Sequence, residues 1–195
     1  MSRALVALGA NLPHDGQPPE VAVAAAITVL AEQTGQTVQA SRLYRTPAFP
    51  PGAGPEFVNA AVALDWEGTP ETLLALLHEI EASFGRTREA RWEARLMDLD
   101  LIALADSVMP DVQTQSCWAA LPSDRAAVEI PQQLILPHPR LADRSFVLVP
   151  LADVAPDWRH PVTGRSVMQM LGDRPPEERA AIRAMDVDPT DLTQS

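Results

Sequence analysis

The strongest constraint on the fold is an alternation, running from Arg3 to Ala105, of strand-length apolar stretches and segments with helical spacing. Arg3 to Gly9 is a compact apolar run that stops at Gly9-Ala10-Asn11 and predicts a buried strand. Pro18-Pro19-Glu20 then opens an alanine-rich segment ending at Gly35, with proline where a helix begins and glycine where one stops. Thr37 to Thr46 mixes polar residues with Val38, Leu43 and Tyr44. Beyond a Pro/Gly-rich loop, Pro50 to Pro55, the stretch Phe57 to Trp66 is again apolar, and the two predict neighbouring antiparallel strands. Thr69-Pro70-Glu71 starts the clearest helix: Leu73, Leu74, Leu76, Leu77, Ile80 and Phe84 recur at helical spacing before Gly85. Leu96 to Ala105 returns to a strand interrupted only by Asp98 and Asp100.

The order β-α-β-β-α-β predicts an α+β fold, a ferredoxin-like antiparallel sheet with two helices on one face and additional C-terminal elements. Past Ala105 the pattern weakens. Asp106 to Gln133 reads as loop, Leu134 to Pro139 as a short apolar piece and Arg144 to Val154 as a helix; beyond Asp173 a short helix and a frayed acidic tail are expected.

Composition narrows the chemistry. At 195 residues the chain fits one domain with a continuous core. Ala4 to Leu8 is too short for an export signal, no apolar run reaches bilayer-spanning length, and the single Cys117 cannot build a disulfide framework; a cytoplasmic protein with no membrane association is expected. The net charge of −11 argues against nucleic-acid binding. All fifteen basic residues are arginine, so Walker, protein-kinase and Schiff-base lysines are excluded, and any phosphate must be met by arginine forks, metal and backbone amides.

Asp98-Leu99-Asp100 sets two carboxylates on one face of a strand, their Cα atoms about 6.5–7 Å apart. That is either a solvated face or a magnesium site, since Mg²⁺ takes one or two protein carboxylates and completes its shell with water and phosphate. Arg86, Arg88, Arg91 and Arg95, with Trp92 among them, directly precede the pair and favour a triphosphate-metal site. His78 and Glu81 share a helix face leading into this arginine loop. His138, between Pro137 and Pro139, sits in a rigid extended setting, with Arg144 and Phe146 shortly after. Tyr44, Phe49 and Phe57 read by default as core, while His14, His160 and Cys117 give no functional signal.

Six landmarks in order carry a resemblance: Gly9-Ala10-Asn11-Leu12, Tyr44-Arg45-Thr46-Pro47, Phe57-Val58-Asn59-Ala60-Ala61, Gly85-Arg86-Thr87-Arg88, Arg95-Leu96-Met97-Asp98-Leu99-Asp100 and Leu136-Pro137-His138-Pro139-Arg140. From Leu5 to about Val167 the chain resembles the 6-hydroxymethyl-7,8-dihydropterin pyrophosphokinase family. The resemblance implies a ferredoxin-like α/β sandwich and transfer of pyrophosphate from Mg-ATP to 6-hydroxymethyl-7,8-dihydropterin in folate biosynthesis, giving AMP and the pterin diphosphate. Residues 1–172 would form the pyrophosphokinase domain and 173–195 a partly disordered tail, with no obligate protein partner.

Carried over by position, Asp98 and Asp100 resemble the carboxylates that hold two Mg²⁺ ions. With Arg86 and Arg95 they would be the catalytic set. Arg86, Arg88, Trp92 and Arg95 match the family's mobile loop that closes over ATP, Trp92 packing on the pterin. His78, Glu81, Ile135, His138 and Arg144 match nucleotide contacts, and Thr46, Pro47, Phe49, Phe57, Asn59 and Phe146 match the pterin pocket. The chain departs from the family pattern at Ala10 (serine), His78 (glutamine) and Phe57 (tyrosine), and Pro13 interrupts the start of the next segment. Its 106–133 connection is longer by about twenty residues, a length that marks a functional loop or disorder. Two rivals stay open, a metal-dependent nucleotidyltransferase that releases pyrophosphate and a non-catalytic ferredoxin-like ligand-sensing module.

Overall fold

A computed structural model of the chain describes residues 1–48, 54–85, 96–126 and 128–193. Its frame is a mixed helix and antiparallel-sheet architecture. The strands are β1 (Ser2–Ala10), β2 (Gln39–Ala40), β3 (Tyr44–Thr46), β4 (Phe57–Trp66), β5 (Asp98–Leu104) and β6 (Arg183–Ala184). They lie in the order β5-β1-β4-β3-β6, with β2 also on β4, and every pairing is antiparallel. The helices are α1 (Pro19–Thr34), α2 (Pro70–Ser83), α3 (Val112–Ala119), α4 (Ser123–Ala126), α5 (Ser145–Val154), α6 (Val167–Gly172) and α7 (Pro176–Ala180).

Local chemistry sets the helix ends. In α1, Pro19 occupies the first turn, where its missing N–H costs nothing, and Gly35 closes the helix at φ 62°, a left-handed conformation that glycine adopts without strain. In α2, the Thr69 side chain accepts the Thr72 N–H, capping the helix at the predicted start.

Strand alternation divides the core into two layers. One sheet face carries Ala4, Val6 and Leu8 of β1, Val58, Ala60 and Val62 of β4, and Leu99 and Leu101 of β5, packed under α1 and α2. The opposite face carries Leu5 and Ala7, Ala61 and Ala63, and Ile102, packed under α5 and α6. The sequence pattern predicts one helical layer; the second comes from the C-terminal elements. Alanine at positions 7, 61 and 63 keeps this face shallow, and α5 packs directly on β4 there.

Two expectations are corrected. The stretch 106–133, read as loop, contains α3, capped by Asp111, whose side chain accepts the Thr114 N–H at 2.9 Å, and the short α4. The end of the chain is not a frayed tail over its described part: β6 extends the sheet beside β3, the Met185 N–H donates to Leu43 O at 2.9 Å, and Met185, Val187 and Leu192 pack against the core. Among the described residues no helix is long and apolar enough to cross a membrane.

Candidate active site

The site lies on the part of the second sheet face that α5 leaves uncovered. Because side chains alternate, the residues preceding the covered positions share their face: Phe57 and Asn59 run into Ala61 on β4, Gly9 into Ala7 on β1, and Asp98 and Asp100 into Ile102 on β5. Tyr44, Asn59, Gly9 and Asp98 stand opposite one another across four neighbouring strands. Asn59, 7% exposed, donates from Nδ2 to Thr46 Oγ1 at 2.7 Å, which leaves its amide oxygen over Gly9. A Cβ at position 9 would stand 2.7 Å from that oxygen, so only glycine lets β1 pass beneath it.

Asp98 and Asp100 are both half-buried. The strand between them is pinned from behind: Glu81 of α2, 2% exposed, accepts the Leu99 N–H on Oε1 at 2.7 Å. Asp100 also pairs with Arg144 Nη1 at 3.3 Å, and Arg144 is the residue from which α5 begins. The Arg144 guanidinium lies 5.7 Å from the centroid of the Phe146 ring, which is exposed on the first turn of α5. Among the described residues no three His, Cys, Asp or Glu side chains gather into a metal cluster. A carboxylate pair of this kind suits Mg²⁺, which draws its remaining ligands from water and phosphate, and not a closed zinc cage.

His138 is fixed beside this pair. Its N–H donates to Ile102 O at 2.8 Å, off the outer edge of β5, and its Nδ1 accepts the Arg140 N–H at 3.1 Å. Burial pushes the imidazole down to about 4; Asp100 opposes that shift, and Arg144 and Arg140 reinforce it. The ring is therefore neutral near pH 7, and with Nδ1 accepting, the proton resides on Nε2. His78, Asp100, Ile135, His138 and Arg144 line one cleft of about 660 Å³.

A polar clamp, buried at Tyr44 and exposed at Arg42, holds the far side. Tyr44 donates from its hydroxyl to Asp153 Oδ2 at 2.8 Å, while Arg42 donates to both Asp153 oxygens and to the Tyr44 hydroxyl. Burial and the bond to Asp153 raise the phenol to about 12. Burial alone would raise the Asp153 carboxyl, but the hydrogen bonds from Arg42 and Tyr44 outweigh it and hold it below the usual range. The clamp ties the strand that carries Thr46 to α5.

The 7,8-dihydro-6-hydroxymethylpterin-pyrophosphokinase (HPPK) family profile matches residues 5–156. The chain belongs to the HPPK family. The chain is 37% identical, over 158 residues, to the 2-amino-4-hydroxy-6-hydroxymethyldihydropteridine pyrophosphokinase of Methylorubrum extorquens, covering 80% of this chain and 85% of that one. It is 35% identical over 169 residues to the Synechocystis enzyme of the same name, covering 86% and 74%. In architecture it resembles the wild-type HPPK-DHPS of Plasmodium falciparum, with a TM-score of 0.59 at 13% identity over 88% of this chain. The chain spans 44% of that longer protein, and the likeness is one of fold.

Set against the HPPK expectations, the described residues divide by place. Asp100, His78, Ile135, His138 and Arg144 are brought to the cleft, and Asp98, Thr46, Phe57 and Asn59 to the neighbouring patch of sheet. Pro47 is exposed at the end of β3, and Glu81 faces the backbone of β5 from the other layer. Phe49, Arg86, Arg88, Arg91, Trp92 and Arg95 lie outside the described residues. Sequence reading gave no site role to Gly9 or Arg140, though both stand in landmark motifs: Gly9 lies beneath the Asn59 amide oxygen, and Arg140 lines the cleft and donates from Nη1 to Leu121 O at 2.9 Å.

Proposed function

We infer that this chain transfers the terminal pyrophosphate of Mg-ATP to 6-hydroxymethyl-7,8-dihydropterin, with the sheet face holding the pterin and the adjoining cleft holding the nucleotide. The observation that carries the reading is that the strand register brings Asn59 and the Asp98/Asp100 pair to one face of the sheet, inside a chain of the HPPK family. The strand order supports a ferredoxin-like assignment: with β2 and β3 counted as one interrupted second strand, the strands run fourth, first, third, second.

Asn59, oriented by Thr46, presents its amide to the edge of the pterin ring, and Phe57, Phe146 and Pro47 supply faces for a flat heterocycle. Asp98 and Asp100 would hold Mg²⁺, two ions being expected with ATP, and the metal would supply neutralisation of charge on the transferring group. Arg144, now the partner of Asp100, is placed to turn to a phosphate oxygen. Neutral His138 offers Nε2–H to an acceptor on the nucleotide, Ile135 and His78 border it, and Glu81 acts by fixing the strand between the aspartates. Arg86, Arg88, Trp92 and Arg95, which lie outside the described residues, are assigned to ATP by their resemblance to the family's loop motif. The pterin hydroxyl oxygen forms a bond to the β-phosphorus as the bridge to the α-phosphate breaks, AMP leaves and the hydroxyl proton passes to solvent. Positioning and charge neutralisation do the work, and no side-chain base is required.

The test is product identification by mass spectrometry after incubation with ATP and the pterin alcohol. AMP and a pterin diphosphate are expected with Mg²⁺. Excess EDTA should abolish them, and Asp100→Asn should lower kcat roughly a thousandfold, the several kcal/mol a metal contributes to such a transition state. Released pyrophosphate would identify a nucleotidyltransferase, and a folded protein without turnover would identify a binding module.

A further inference from the structure

The stretch from 106 to 133 walls the nucleotide cleft, and its geometry names one residue. Asp111 caps α3, and on the face turned inward Gln115, 2% exposed, donates from Nε2 to Pro137 O at 3.2 Å. This docks the helix on the peptide that precedes His138. Trp118 is three residues on and therefore on the same face. It is half-buried and lines the cleft that Asp100, His138 and Arg144 also line. A second latch holds the end of the helix: Arg140 donates to Leu121 O, and the Leu121 N–H returns to Trp118 O. The cleft is chemically divided. Asp100, Arg140 and Arg144 supply charge, whereas Leu74, Ile130 and Ile135 join Trp118 in supplying apolar surface.

We propose that Trp118 is the aromatic wall for the nucleotide base, stacking on the purine while the charged side of the cleft takes the phosphates, so that α3 sets nucleotide affinity. This rests on the pyrophosphokinase reading for the identity of the nucleotide. The physical basis is that a large indole face on a helix pinned at both ends presents its π-surface with little ordering cost, and base–aromatic stacking favours the larger purine ring.

The experiment is calorimetric binding of a non-hydrolysable ATP analogue with Mg²⁺ to the full chain, beside magnesium tripolyphosphate as a probe without a base. Trp118→Ala should weaken the analogue about tenfold, the lower part of the range for a stacked base, and leave tripolyphosphate unchanged. Trp118→Phe should restore most of the loss, and Trp118→Leu, which keeps apolar volume without a π-face, replaces the alanine variant if that one does not fold. In steady-state assays the KM for ATP should rise with kcat within twofold and the pterin KM unmoved. Equal affinity of wild type and Trp118→Ala for the analogue, equal loss for both probes, or no analogue binding by the wild type would each overturn the proposal. Stacking seen by calorimetry without pterin diphosphate formation would uphold it while removing the pyrophosphokinase reading, and turnover with unchanged affinity would do the reverse.

Discussion

Gly9 shows how much one missing side chain decides. It faces Asn59 on one neighbouring strand and Asp98 on the other, and a methyl group there would press on the Asn59 amide oxygen, which can move only by disturbing the bond that Thr46 makes with the other end of the amide. Gly9→Ala should displace Asn59 at a strain of roughly 1–2 kcal/mol. The expected readout is a rise of about tenfold in the KM for the pterin, with the KM for ATP within twofold, measured by steady-state kinetics on a variant that stays folded. At this scale the carboxylate pair was legible, because two charges in an otherwise apolar strand break the pattern that burial enforces. The part played by Glu81 was not: its partner is a backbone N–H eighteen residues away, and no side-chain pattern announces such a bond.

Among the elements, α2 has two tasks. Its apolar stripe packs on one sheet face, and its last turns send Glu81 to the start of β5, at Leu99. Glu81→Ala would leave the buried Leu99 N–H without this acceptor, at a cost of about 1–3 kcal/mol. Urea unfolding should show that loss, kcat should fall because Asp98 and Asp100 flank the released peptide, and Glu81→Gln, which keeps an acceptor oxygen, should recover most of both. The long elements were readable because each carries its own periodicity and end signals: Thr69 for α2, the Pro18-Pro19 start and Gly35 for α1, and predominantly apolar runs for β1 and β4. The short ones were not. α3 buries one side chain, and that one is a glutamine, so it has no apolar stripe to read, only the Asp111–Thr114 cap. β6 is two exposed residues whose conformation is set by β3, a distant partner.

The whole molecule carries a second histidine built like the first. His160, 6% exposed, is also followed by proline and also accepts on Nδ1 the N–H of the residue two further on, Val162, at 3.2 Å. Burial lowers its pKa. The unfolded chain therefore takes up a proton near pH 6.5 that the folded chain still refuses, and stability held above that pH is lost as the pH falls below it. Chemical denaturation between about pH 7.5 and 5 should show ΔG declining through this window, and His160→Asn, which keeps an acceptor and cannot titrate, should lessen the decline, the remainder belonging to His138, whose pKa burial also lowers. A last consequence follows from the central strand on which Gly9 sits. Asn59 and Asp98 belong to the strands on either side of it, so their backbones are two strand spacings apart, about 9.5 Å, a span set by N–H···O bonds that repeat along the whole sheet. The backbone interval between Asn59 and Asp98 is thus a property of peptide geometry. Side chains at either end can be exchanged without changing it, so under the proposed function a change of heterocycle or of cation would leave the interval between the two binding positions the same.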